Sequence, residues 1–214
     1  SGKLKARNRT LARQQADFVR GLDPSRPVTE GLSGNKAEWR TMDEYQERLD
    51  VSGYNYGYDR FQKDHDRVPG RVLYQSESNC EKMFECWAAA QGRPYVVGDF
   101  PWTGWDYIGE ASIGYYSFDL RQRENRLWTL AYCGDLDLCG YKRPQSLYRE
   151  TLWGTGPKLA LVVHSPVPTF GPSPSLGKGW SFDDVHPHWN WPGREGKHLT
   201  VDAYTRCDRV ELLL

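Results

Sequence analysis

The sequence predicts an α/β chain: four strand–helix units that make half of a (β/α)8 TIM barrel, followed by the start of a β-sandwich. Three observations carry that expectation. Short apolar strands alternate with helix-like stretches as far as Trp153, the pattern of a parallel sheet covered by helices. After Thr155-Gly156-Pro157 the chain changes to strand-like runs separated by turn residues. And 214 residues cannot hold both a barrel of roughly 250 residues and an immunoglobulin-like sandwich of about 100. The chain is therefore expected to be a piece of a longer protein.

The elements follow in order. Leu4, Leu11, Ala12, Phe18, Val19 and Leu22 recur at near-helical spacing among Arg, Lys and Gln, so residues 4–22 read as a helix. Asp23-Pro24 stops it, because proline disfavours helix in the residue before it. Arg26 to Thr29 reads as a short strand, Met42 to Leu49 as a short helix and Leu49 to Tyr56 as the next strand. Phe61 to His65 begins a crossover helix that Pro69-Gly70 closes. Arg71 to Gln75 is a third strand, Glu81 to Gln91 a helix, Tyr95 to Phe100 a fourth strand, and Pro144 to Trp153 a last crossover helix. Beyond it, Leu159 to His164 is β-rich, and Pro166 to Gly179 is a loop with four prolines. Val185 to Trp191, Leu199 to Tyr204 and Val210 to Leu214 all read as strands.

Composition removes several function classes. Lys and Arg total 28, balanced by 28 Asp and Glu, so the basic excess that nucleic-acid binding requires is missing. No apolar run approaches the ~18–20 residues of a membrane span. The start, Ser1-Gly2-Lys3-Leu4-Lys5-Ala6-Arg7, is polar and basic and does not read as a signal peptide. The five cysteines match no zinc spacing and read as ordinary thiols. His186, His188 and Asp183 could be taken for a metal cluster, but a structural role fits them better. No cofactor is expected and no residue is assigned to a metal, while any metal requirement stays open.

Nine Trp, thirteen Tyr and seven Phe serve a core for the most part. Trp102, Trp105, Tyr54 and Tyr56, however, cluster at predicted strand ends, where a barrel keeps its site. The segment Arg71-Val72-Leu73-Tyr74-Gln75-Ser76-Glu77-Ser78 delivers a carboxylate at the end of an apolar strand. Ser76 and Ser78 flank it and can hydrogen-bond to it. The segment from Gly98 to Glu110 presents Trp102 and Trp105 at the end of the next strand. A carboxylate that can attack an anomeric carbon, beside an indole that can cover the apolar face of a pyranose, is what a sugar-cleaving barrel needs.

These segments, in this order and spacing, resemble glycoside hydrolase family 2, the β-galactosidase family, nearly end to end. Leu22 to Thr29, Asp50 to Tyr56, Gln75 to Ser78 and Phe100 to Tyr107 resemble its fifth to eighth barrel strands. Lys142 to Arg149 resembles the helix that follows. His186-Pro187-His188-Trp189-Asn190-Trp191 and Cys207 to Leu212 resemble its downstream β-domain. The resemblance implies that residues 1–155 are the C-terminal half of the barrel and 156–214 the start of an immunoglobulin-like sandwich. It implies a bacterial, retaining hydrolase of terminal β-D-galactosides, with β-glucuronidases, β-mannosidases and a non-catalytic carbohydrate-binding module as alternatives. Its partners would be the sugar substrate and the N-terminal half of the same enzyme, with no nucleic acid and no membrane. Homo-oligomerisation and compartment stay open, a periplasmic or secreted location among the options.

The resemblance also assigns roles. Glu77 falls where the family has its nucleophile, and Tyr56 where a tyrosine hydrogen-bonds that nucleophile, with Tyr54 and Tyr58 close by in sequence. Asn55, Trp102, Trp105 and Asp106 fall at substrate-binding positions, although Asp106 could equally be paired with an arginine. The acid/base, an Asn-Glu pair in the family, is expected upstream of Ser1. Were it within the chain, Glu30 and Glu110 would be the first suspects, and Glu30 does not match the motif. The Asn-x-Lys motif that glucuronidases use is absent. Cys80 stands where some galactosidases have a histidine.

Overall fold

The computed structural model describes residues 2–33, 42–108, 131, 133–167 and 182–213, with the side chains of the first helix described from Thr10 onward. The elements are α1 (Gly2–Leu22), β1 (Thr29–Leu32), α2 (Asp43–Gln46), β2 (Val51–Asn55), α3 (Phe61–Arg67), β3 (Val72–Ser78), α4 (Met83–Ala90), β4 (Val96–Pro101), α5 (Pro144–Trp153), β5 (Leu159–His164), β6 (Val185–His186) and β7 (Val201–Thr205). They form two compact units, one of Ser1–Ser78 with Glu85–Phe100, the other of Asn79–Phe84 with Pro101–Leu214. No helix among the described residues is long and apolar enough to cross a membrane. Most of the predicted loop from Pro166 to Gly179 lies outside the described residues, as does Glu110.

The first unit is a mixed α/β layer. Its sheet has the order β1-β2-β3-β4, with β1 and β3 both parallel to β2. Alternate residues of a strand face opposite sides, and one side is buried. Leu32, Tyr54 and Leu73 meet Phe61 of α3 there, with Tyr45, Leu49, Ala89 and Tyr95 packed around them. A polar cluster sits in the same layer. The Tyr54 hydroxyl donates to Asp64 Oδ2 at 3.0 Å. Arg60 and Arg67 both donate to Asp64 Oδ1, at 3.3 and 3.0 Å. Burial, reinforced by the Asp64 charge, pushes the Tyr54 phenol up to about 12. Helix α1 forms as expected, but Phe18 and Leu22 of its apolar stripe are exposed.

The opposite side of the sheet carries Gly31, Gly53, Asn55, Tyr74 and Ser76 in close contact. Gly53 has no room for a side chain: a Cβ there would lie 2.6 Å from the Glu30 carbonyl oxygen and 2.9 Å from Ser76 Oγ. Glycine at this position lets β1, β2 and β3 keep their register beneath the site.

In the second unit β5 pairs antiparallel with both β6 and β7, giving the order β6-β5-β7. Ala160, Val162, Val185 and Tyr204 form its core, covered by Leu147 and Tyr148 of α5 and by Phe182.

Three strand expectations need correction. Strand β1 begins at Thr29 rather than Arg26, because Pro27 has no N–H to give a ladder and the Val28 N–H is taken by Asp50 Oδ2 at 2.7 Å. Strand β6 ends at His186 rather than Trp191: Pro187 follows at once, and Pro192-Gly193 turns the chain soon after. Residues 210–213 form no strand, and Leu212 and Leu213 lie open to solvent.

Candidate active site

The carboxylate of Glu77 reaches its position through a register shift. Tyr54 pairs with Gln75 and Asn55 pairs with Glu77, so Ser76 is an extra residue in β3. The burial pattern records the same event: Leu73, Gln75 and Ser78 are buried, where strict alternation would bury residue 77. Without the bulge, Glu77 would share the helix-covered side of Leu73 and Gln75. A single inserted residue reverses every side chain beyond it, and here it turns Glu77 toward Tyr56.

Tyr56 directly follows β2 and adopts φ +57°, a left-handed backbone that is uncommon for a residue with a side chain. Its N–H donates to the Glu77 carbonyl at 2.8 Å, and its hydroxyl donates to Glu77 Oε2 at 2.7 Å. Gln75 Nε2 donates to the same carbonyl at 2.9 Å. The backbone of Glu77 is thus held twice and its carboxylate once.

Asn55 lies beside this pair. Its Oδ1 accepts from Ser76 Oγ at 2.7 Å, which orients the amide with its nitrogen free to act as a donor. Neither flanking serine touches the carboxylate, contrary to expectation. Ser76 serves Asn55, and Ser78 Oγ donates to the Phe100 carbonyl at 3.3 Å. Tyr54 lies on the buried side, bonded to Asp64, and Tyr58 packs against the same core. Of the three neighbouring tyrosines, the geometry brings Tyr56 to Glu77. Glu30 lies in β1 next to Gly31. A Cβ at Gly31 would point at Asn55 Oδ1, 2.8 Å away, so by alternation Glu30 faces the other side.

The remaining candidates belong to the second unit. Trp102 directly follows β4 and is half-buried. Trp105 is exposed, with the edge of its indole over Gly140. Asp106 as a substrate contact is not supported by its geometry. Its side chain is 0% exposed and is committed on both oxygens, to Arg143 Nη1 at 2.8 Å and to the Tyr107 N–H at 3.0 Å. It ties the segment after β4 to the start of α5. Arg143, 37 residues away, was not singled out in the sequence, and no local pattern points to it.

Cys80 is buried, with its sulfur 3.6 Å from the Cys133 carbonyl oxygen, and burial pushes its thiol up to about 12. A thiol so buried is chemically inert. His186 pairs with Asp184 at 3.2 Å and packs against the rings of His188 and Trp191. Among the described residues no group of three or more His, Cys, Asp or Glu side chains is arranged to hold a metal ion.

The carboxylate of Glu77 and the phenol of Tyr56 are presented together at the C-terminal ends of neighbouring parallel strands, the edge of the sheet where α/β enzymes carry their chemistry. No family profile matches the chain. A solved glycosyl hydrolase family 2 member from Bacteroides cellulosilyticus is similar at 43% identity and a TM-score of 0.81, over 93% of this chain and 25% of that one. A β-galactosidase of Bacteroides ovatus is 25% identical over 97% of this chain and 25% of its own length. A putative β-glucuronidase of Formosa agariphila is 25% identical over 60% of this chain and 9% of its own length. The chain is related to glycoside hydrolase family 2, and it spans about a quarter of the length of the first two relatives.

Proposed function

We propose that this chain carries the nucleophile half of a retaining glycoside hydrolase acting on terminal β-D-galactosides. The observation that carries the reading is the 2.7 Å hydrogen bond from the Tyr56 hydroxyl to Glu77 Oε2 at the ends of β2 and β3. In this reading residues 1–155 are the C-terminal half of a (β/α)8 barrel, and residues 156–214 begin an immunoglobulin-like domain.

Retention of configuration needs two carboxyl groups about 5–5.5 Å apart, one as nucleophile and one as acid/base. Glu77 attacks the anomeric carbon and forms a glycosyl ester. The Tyr56 phenol steadies the carboxylate before attack and again as it departs. Asn55 offers its amide to a sugar hydroxyl, and Trp102 lays its indole against the apolar face of the ring. The acid/base is contributed by a part of the enzyme outside these residues, so the isolated chain should show no turnover.

The likeness to a β-galactosidase over nearly the whole chain, together with the absence of Asn-x-Lys, favours a galactoside over a glucuronide. The test is a panel of nitrophenyl β-galactoside, β-glucuronide and β-mannoside with the full-length protein, with the first-formed anomer read by NMR. Galactoside preference with retention supports the reading, and glucuronide preference or inversion overturns it.

Two substitutions belong to the same assay. A hydrogen bond to a charged group is worth roughly 1.5–3 kcal/mol, so Tyr56→Phe should lower kcat/KM about ten- to a hundredfold. Full activity in that variant would mean that the contact is only structural. Trp102→Ala removes apolar surface next to the reacting ring, so it should raise KM and lower kcat together. An unchanged kcat/KM on an aryl galactoside would make that indole a packing residue.

A further inference from the structure

Residues 187–200 form neither helix nor strand. They fold instead through two successive turns. The Arg194 N–H donates to the Trp191 carbonyl at 3.0 Å, and the Lys197 N–H donates to the Arg194 carbonyl at 3.0 Å. Gly193 and Gly196, with φ of +79° and +69°, fill the left-handed third position of each turn, and Pro192 fills the second position of the first. The Gly193 N–H donates to Glu195 Oε1 at 3.2 Å, and Arg194 Nη2 donates to the Pro166 carbonyl at 3.3 Å. Two charged side chains are therefore positioned by backbone closure before any ligand arrives.

The turns border a cleft of about 390 Å³ lined by Trp189, Asn190, Trp191, Arg194, Glu195 and Leu199. That volume falls within the roughly 300–1,000 Å³ of small-molecule clefts. Trp189 is 55% exposed, a large apolar face left open to water. Trp191 forms a fixed wall, held against His186 and His188 with ring centroids 5.3 and 4.7 Å away. Its indole N–H is buried and has no acceptor among the described residues.

We propose that this cleft is an accessory carbohydrate site for one neutral pyranose unit, distinct in its residues from the Glu77 site. The open indole of Trp189 matches the apolar C–H face of a sugar ring. Around it stand a carboxylate that accepts and an amide and a guanidinium that donate, the set that a ring of hydroxyls needs. Backbone N–H groups of Glu195 itself and of Gly193 hold its carboxyl below the usual range, so it accepts at neutral pH. Arg194 and Glu195 offset each other's charge, and this leaves no preference for an acidic sugar. The choice of a galactan as probe rests on the glycosidase reading, whereas the recognition chemistry does not.

Affinity electrophoresis tests the site. Full-length protein carrying Glu77→Gln, which stops digestion, is run in gels containing soluble β-galactan, hydroxyethylcellulose or polygalacturonate. The neutral glycans should retard it. Adding Trp189→Ala should weaken retardation roughly tenfold or more, and Glu195→Gln should weaken it less. Circular dichroism of each variant should match the parent, since Trp189 is a surface residue. With Glu77 intact, Trp189→Ala should keep its turnover of a nitrophenyl galactoside. Binding that depends on Trp189 in a protein without hydrolytic activity would sink the catalytic reading alone. Equal retardation of the Trp189→Ala variant, stronger retention on polygalacturonate, or no retention on any neutral glycan overturns the accessory site.

Discussion

In the full-length enzyme, Glu77→Ala is expected to lower kcat on aryl galactosides by on the order of 10⁴-fold or more. The substitution deletes the group assigned to form the glycosyl ester, and neither of the other candidate carboxylates among the described residues replaces it. Glu30 faces the other side of the sheet, and Asp106 is buried against Arg143. The loss should be chemical rather than structural. Glu77 is half-buried and its carboxylate contacts one phenol, so stability should change by about 1 kcal/mol or less. Added azide should enter the space left by the carboxylate and yield a glycosyl azide of opposite anomeric configuration. A variant that folds normally and keeps more than a tenth of its activity would remove Glu77 from the mechanism.

The second large effect is on stability. Asp64 is 2% exposed and accepts from Tyr54, Arg60 and Arg67. Asp64→Ala removes the carboxylate that accepts from a buried phenol and a largely buried guanidinium. Removing one member of a buried ion pair typically costs about 3–5 kcal/mol, and urea unfolding should read a loss of that order. Asp64→Asn can still accept from Tyr54, so it should cost less. Because Tyr54 immediately precedes the Asn55–Tyr56 corner, the effect should extend to the site. Near the new midpoint, activity should fall together with structure. A loss below about 1 kcal/mol would mean that Arg60 and Tyr54 find other partners or water.

These two expectations rest on features of unequal legibility. Helix α5 was readable to the residue: Pro144 opens it, and Gly154, at φ +69°, closes it, each a local signal. Strand β5 was equally plain from its apolar run. Parallel pairing of the first strands followed from their alternation with helices. The face that Glu77 occupies was not readable, because it depends on one extra residue in β3, and nothing in Gln75-Ser76-Glu77 announces a bulge. The left-handed backbone of Tyr56 is hidden for the same reason, since it is imposed by the chain around it. For Asp106 the sequence left two readings open, a substrate contact or a pairing with an arginine, and it could not say which arginine because Arg143 is distant in sequence. The double turn after Trp191 was carried in Pro192-Gly193 and Glu195-Gly196. The alternating aromatic residues before it read more strongly as strand.

The most direct test of the central claim is covalent. The full-length enzyme is incubated with a 2-deoxy-2-fluoro-β-galactoside bearing a good leaving group, which slows turnover of the glycosyl ester enough to trap it. Digestion and tandem mass spectrometry then locate the added sugar. The account predicts a single adduct on Glu77, absent from the Glu77→Gln variant and formed more slowly in Tyr56→Phe. An adduct on any other carboxylate, with Glu77 unmodified in an inactivated enzyme, would contradict it.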